Sequence, residues 1–155
     1  MPRAPEVRII PVPLAEEIHP GDSLFQKLLP TLSRRLKRGD ILIIKHKIVS
    51  KAEGQLVDLS TMRPSAATRA WARRYNLDPR VTTLAMKEGK RILRRRRGVL
   101  ITETRHGFIC ANSGVDVSNV DGGAHALLLP KNPDRSAAQL YRAIKKHLHL
   151  SIPVI

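Results

Sequence analysis

The sequence predicts an α+β fold, a mixed α/β arrangement in which a mixed sheet packs with helices, and three observations carry this prediction. Short apolar or β-branched runs at 7–10, 41–44, 99–104, 108–111, 126–130 and 152–155 interleave with helical periodicities at 23–37, 64–75, 79–96 and 136–148. The spacings between the runs include both hairpin-like and crossover lengths. A chain of 155 residues that is 42% hydrophobic and 26% charged has the composition of a globular protein, and with aromatics at 3% its core must be built from Leu, Ile, Val and Ala. No internal repeat, low-complexity segment or linker interrupts it, which predicts one domain over 1–155.

Taken in order, VRII at 7–10 reads as a strand stopped by the rigid PVP. A helix follows over 23–37, with Ser23 and Gln26 as a capping box and Leu24, Leu28, Leu32 and Leu36 one turn apart; Pro30 predicts a kink or two short helices. ILII at 41–44 reads as a strand buried on both faces. KHKIVSKAEG leaves that strand directly, so Lys51 in SKAEG is expected in the loop just beyond it. Pro64 and Ser65 open a helix through Tyr75, and a further helix spans 79–96, capped by Gly98, with Gly89 allowing close packing. VLITET and FICA read as strands, and ALLLP as another buried one. The last helix begins in NPDRSAAQ, where Ser136 and Gln139 form a capping box, and carries the stripe Ala137, Leu140, Ile144, Leu148. IPVI closes the sequence as a terminal strand or the start of a further element.

Charge is the outlying property. The 28 Lys and Arg against 13 Asp and Glu give +15, and residues 63–105 hold 13 of the basic and 3 of the acidic groups. The excess peaks in KRILRRRRG at 90–98. Such a field attracts polyanions, whether nucleic acid, nucleotide or a phosphorylated substrate, while a solvated helix face with dipole-complementing arginines explains part of it without any partner. The single cysteine, Cys110, fits a reducing compartment, and the N-terminal MPRAPEVRII lacks the apolar stretch of a secretory signal; a soluble cytoplasmic protein with no membrane partner is expected.

Several chemistries are excluded by missing signatures. There is no GxxxxGK[ST], no GxGxxG, no HExxH and no GxSxG, and one cysteine cannot build a zinc finger. Too few aromatics exist for a base-stacking platform. What remains is local. Lys51 sits where a strand end could meet a phosphate as a point charge, or be an ordinary solvated lysine. Asp116, between Gly114 and Gly122-Gly123, suits a hard divalent cation and also suits a plain turn. Asn119 could cap, turn or bond a base or ribose, and His106 reads first as a structural hydrogen-bonding group.

The segments DILIIKHKIVSKAEG (40–54), ETRHGFICANSGVDVSNV (103–120) and LLLPKNPDRSA (127–137), with EIHPGDSL at 17–24, together resemble the coenzyme F420:L-glutamate ligase family, the gamma-glutamyl ligases that extend a deazaflavin coenzyme. The resemblance runs along essentially the whole sequence and implies the first half of the gamma-glutamyl ligase fold. It implies binding of GTP and of Mg or Mn ions, and formation of a gamma-glutamyl amide through an acyl-phosphate on a deazaflavin precursor, with L-glutamate as the incoming amine. Carried over position by position, Ala15, Glu16, Glu17 and Ile18 would be a backbone segment touching the nucleotide, although the family has Leu-Pro-Glu-Ile-like residues there. Lys51 would contact phosphate, Asn119 the nucleotide and Asp116 a metal ion; no catalytic residue is assigned. His46 stands where the family has the serine of its first Ser-Lys pair, a nucleotide contact. In the family a strand like IPVI runs into S-D-[TS]-x-G-R, which binds further metal, so the sequence corresponds to the N-terminal portion. A homodimer or an assembly with the missing half is implied. The alternatives are a basic nucleic-acid-binding module using residues 63–105, with the run at Arg94, Arg95, Arg96 and Arg97, or a non-catalytic assembly subunit.

Overall fold

The computed structural model of the chain describes residues 6–117 and 121–155. Its elements are α1 (Leu24–Arg35), α2 (His46–Ala52), β1 (Leu56–Asp58), α3 (Ala66–Arg74), α4 (Pro79–Glu88), β2 (Gly89–Arg96), β3 (Val99–Thr104), β4 (Ile109–Ala111), β5 (His125–Leu127) and α5 (Pro133–Leu148). The fold is α+β. Its strands form two small antiparallel sheets, β1–β5 and β2–β3–β4, and the one parallel pairing among the described residues is an isolated bridge between Leu42 and Val154.

The first core joins α1 to α5. Phe25, Leu28 and Leu32 recur on one face of α1 and meet Leu140 and Ile144 of α5, with Leu42 and Ile152 closing the cluster. Ser23 caps α1 as its sequence indicates, its Oγ accepting from the Gln26 N–H at 3.4 Å. Pro30 does not divide the helix. It lies exposed within the continuous element, and the buried Leu28 and Leu32 on either side hold the backbone helical through their packing. Asn132, not Ser136, caps α5, accepting from the Arg135 N–H at 2.9 Å, with Pro133 in the first turn where its missing N–H costs nothing.

Two expected strands are corrected. Residues 7–10 form no strand: Val7 and Ile9 are each 90% exposed, and β-branched residues without a neighbouring ladder have nothing to bond. Residues 41–44 are not buried on both faces. Leu42 enters the core, while Ile41 (56%) and Ile43 (76%) face outward. The segment is held on one edge, through Leu42 N–H to Pro153 O (2.9 Å), Ile155 N–H to Leu42 O (2.9 Å) and Ile44 N–H to Ile155 O (2.7 Å).

The largest correction lies at 79–96. Asp78 caps α4, but the helix stops at Glu88, with Gly89 as its C-cap, and KRILRRR continues as β2 in an antiparallel hairpin with β3. Arg97 and Gly98, both with positive φ (49° and 80°), make the turn, so Gly98 serves a hairpin and not a helix end. Close packing at Gly89 is real but serves the sheet: a Cβ there would lie 3.0 Å from Ser113 Oγ and 3.2 Å from Thr102. Those two residues form a buried hydroxyl network, Thr102 Oγ1 to Ser113 Oγ at 2.9 Å and Ser113 Oγ donating to Ala85 O at 2.5 Å, which ties β3 to α4. A second apolar cluster of Leu59, Leu84 and Ala126 packs α4 on the β1–β5 sheet.

Candidate functional site

The segment KHKIVSKAEG, read as following the 41–44 run directly with SKAEG just beyond it, forms helix α2 over His46–Ala52, and this decides the site's geometry. The helix is seven residues long, without a side-chain cap at Lys45, so its stability must come from packing: Ser50 is fully buried. Helical spacing puts Lys47 and Lys51 one turn apart. Lys47 Nζ lies 2.7 Å from Asp116 Oδ2, and Lys51 Nζ lies 2.5 Å from Glu17 Oε1. Two loops remote in sequence are thus drawn to one short helix.

Asp116 is positioned by backbone. Its N–H donates to Leu127 O at 2.9 Å and its carbonyl accepts from the Leu127 N–H at 2.7 Å, so it extends the β1–β5 sheet. Glu17 is exposed, and the hydrogen bond and charge of Lys51 hold its carboxyl below the usual carboxylate range. Glu16 turns to α1, where it pairs with Lys27. Ile18 is buried in the core, leaving only its backbone to meet a ligand, and Ala15 is exposed. His46 lies at the start of α2 with Nε2 buried and without a hydrogen-bond partner; burial pushes its pKa down, against the attraction of the Asp116 carboxylate. Asn119 lies outside the described residues.

Beside α2 runs a groove of about 620 Å3, whose walls include His46, Glu53, Phe108, Leu140, Ala143 and Ile155. Glu53 fastens its floor, accepting from Ser136 Oγ and from the Lys131 N–H at 3.4 Å. His106 Nε2 lies 3.1 Å from Lys131 O, the structural hydrogen bond its sequence context suggested. Lys47 and Glu53 are the participants that sequence reading missed. The signal for Lys47 was its four-residue spacing from Lys51, which becomes meaningful only once the segment is helical.

Among the described residues no group of three or more His, Cys, Asp or Glu side chains is placed to hold a metal ion. Asp116 is one carboxylate and it engages Lys47, so these residues do not by themselves form an oxygen cage for Mg or Mn. No helix among them is long and apolar enough to cross a membrane.

Comparison with known proteins bears directly on this arrangement. The family model described as F420-0:Gamma-glutamyl ligase matches residues 14–155, which takes in every residue of the site. The chain belongs to the gamma-glutamyl ligase family. Among curated relatives, the coenzyme F420:L-glutamate ligase of Methanopyrus kandleri is 41% identical over 151 residues, covering 97% of this chain and 59% of its own length. The protein of that name from Methanothermobacter thermautotrophicus is 37% identical over 138 residues, covering 87% of this chain and 54% of its own. That from Methanocaldococcus jannaschii is 40% identical over 111 residues, covering 72% of this chain and 44% of its own. The chain thus spans about half the length of the curated relatives it matches.

Proposed function

We propose that this gamma-glutamyl ligase family member supplies the nucleotide-handling part of a GTP-dependent coenzyme F420:L-glutamate ligase. The observation that carries the reading is the convergence on α2, where Lys47 and Lys51 present two ammonium groups one turn apart to loops 15–18 and 114–117. Paired lysines with exchangeable carboxylate partners suit a triphosphate, which offers a denser set of acceptor oxygens than either carboxylate.

In the ligation itself, a carboxylate of the deazaflavin precursor attacks the γ-phosphorus of GTP, releasing GDP and leaving an acyl-phosphate. The glutamate amine then attacks the acyl carbon, losing a proton and expelling phosphate. The lysines would neutralise the transferring phosphoryl oxygens and orient the chain of phosphates, a task of positioning and electrostatics. A divalent cation is part of the proposed reaction, but the described residues do not cage one.

Calorimetry with GTP and Mn2+ tests the site. Binding heat in the wild type, weakened about 10-fold or more in Lys51→Ala and in Lys47→Ala, is expected from the loss of one charge-assisted bond each. Absence of heat, or lysine variants that bind like the wild type, would overturn the assignment.

A further inference from the structure

The arginine run has no part in the site just described, and its surroundings are distinctive. Residues 63–105 contain three carboxylates, and each is taken by a base outside the run. Asp78 pairs with Arg80 at 2.7 Å, Glu88 with Arg105 at 3.7 Å, and Glu103 with Lys90 at 3.3 Å and Arg91 at 2.9 Å. Among the described residues, Arg94, Arg95, Arg96 and Arg97 make no ion pair.

The hairpin distributes these four charges. Register places Arg95 opposite the buried Leu100, and Arg95 turns to α3, its guanidinium 4.3 Å from the centre of the Trp71 ring. Arg94 and Arg96 pair with Ile101 and Val99 and lie on the opposite, open face. With Arg97 these residues line a shallow hollow of about 410 Å3. Arg97 is the most telling. It occupies a left-handed turn position (φ 49°) before Gly98, where glycine, asparagine or aspartate costs less, so the turn keeps an arginine against its own conformational preference.

We propose that the β2–β3 hairpin is a docking surface for the phosphate backbone of a nucleic acid. Guanidinium groups grip phosphate bidentately, and residues alternating along a strand stand ~6.8 Å apart, on the scale of successive phosphates. The open face carries no aromatic ring on which a base could stack, so the backbone and not the sequence is recognised. A second copy of the chain is a poor occupant, because it would bring the same unpaired arginines face to face.

The test is fluorescence anisotropy of the full chain with short duplex DNA and duplex RNA across about 50 to 200 mM salt. Three phosphate contacts give a log–log slope of roughly −2.7 and about a 40-fold loss of affinity over that range. Replacing Arg94→Gln, Arg96→Gln and Arg97→Gly together should abolish most of the slope. Arg97→Gly alone relieves the turn, so it folds at least as stably as the wild type, and its slope should fall by about one. No binding to either duplex at low salt, an unchanged slope in Arg97→Gly, or equal affinity for polyglutamate or phosphatidylserine vesicles would each overturn the proposal.

Discussion

The Lys51 ammonium is 2.5 Å from the carboxylate of Glu17, which lies 34 residues earlier in the chain. This contact joins the 15–18 loop to the last turn of α2 and occupies the lysine that the proposed nucleotide would need. Glu17→Gln should therefore raise GTP affinity by about two- to fivefold, the scale of an exposed ion pair removed as a competitor. Its melting temperature should stay at the wild-type value, because Glu17 is solvent-exposed. Calorimetry and a thermal melt read the two outcomes.

Gly114→Ala should be severely destabilising. The residue sits at φ 73°, and a Cβ there would come within 2.7 to 2.9 Å of three carbons of Leu129. Strain and overpacking together are expected to cost about 2–4 kcal/mol, measured by urea unfolding.

Pro30→Ala should stabilise the protein. The proline is exposed within α1, so alanine loses little packing and restores one helical hydrogen bond. A gain of about 2 kcal/mol is expected after allowing for the freer unfolded chain, visible as a higher melting temperature.

Asp78→Ala removes the cap of α4 and the Arg80 pair, at about 1 kcal/mol near neutral pH. The hydrogen bond from Arg80 holds the Asp78 carboxyl below its ordinary value of 3.8, so its contribution is complete above that value and lost as pH falls through the lower, folded one. The gap between wild type and variant should accordingly close in acid, as pH-dependent unfolding curves would reveal.

Three helix starts and the core faces were legible because they depend on nearby residues: Ser23, Ser65 and Pro79 mark their helices, and the Leu28–Leu32 and Leu140–Ile144 spacings mark the α1–α5 core. Family motifs likewise disclosed the gamma-glutamyl ligase relationship from 17–24 onward. What local pattern could not supply was the partner of each segment. Arg, Leu and Ile at 91–97 satisfy a helix as readily as a strand, and only pairing with β3 decides. In 41–44, composition cannot reveal that one face alone is covered. For the site, Lys51 and Asp116 were visible as residue types, but their partners Glu17 and Lys47 were not, since Ile48 and Val49 disguise α2 as a continuation of the preceding apolar run.

The bridge between Leu42 and Val154 bears on the order in which the molecule assembles. During synthesis, α1 and the 41–44 segment emerge long before α5 and Ile152, so their apolar faces must wait for late-made partners. The α3–α4 unit and the β2–β3 hairpin make mostly local contacts and can form early. Closure of the α1–α5 core spans the longer loop and is therefore expected to follow these local units.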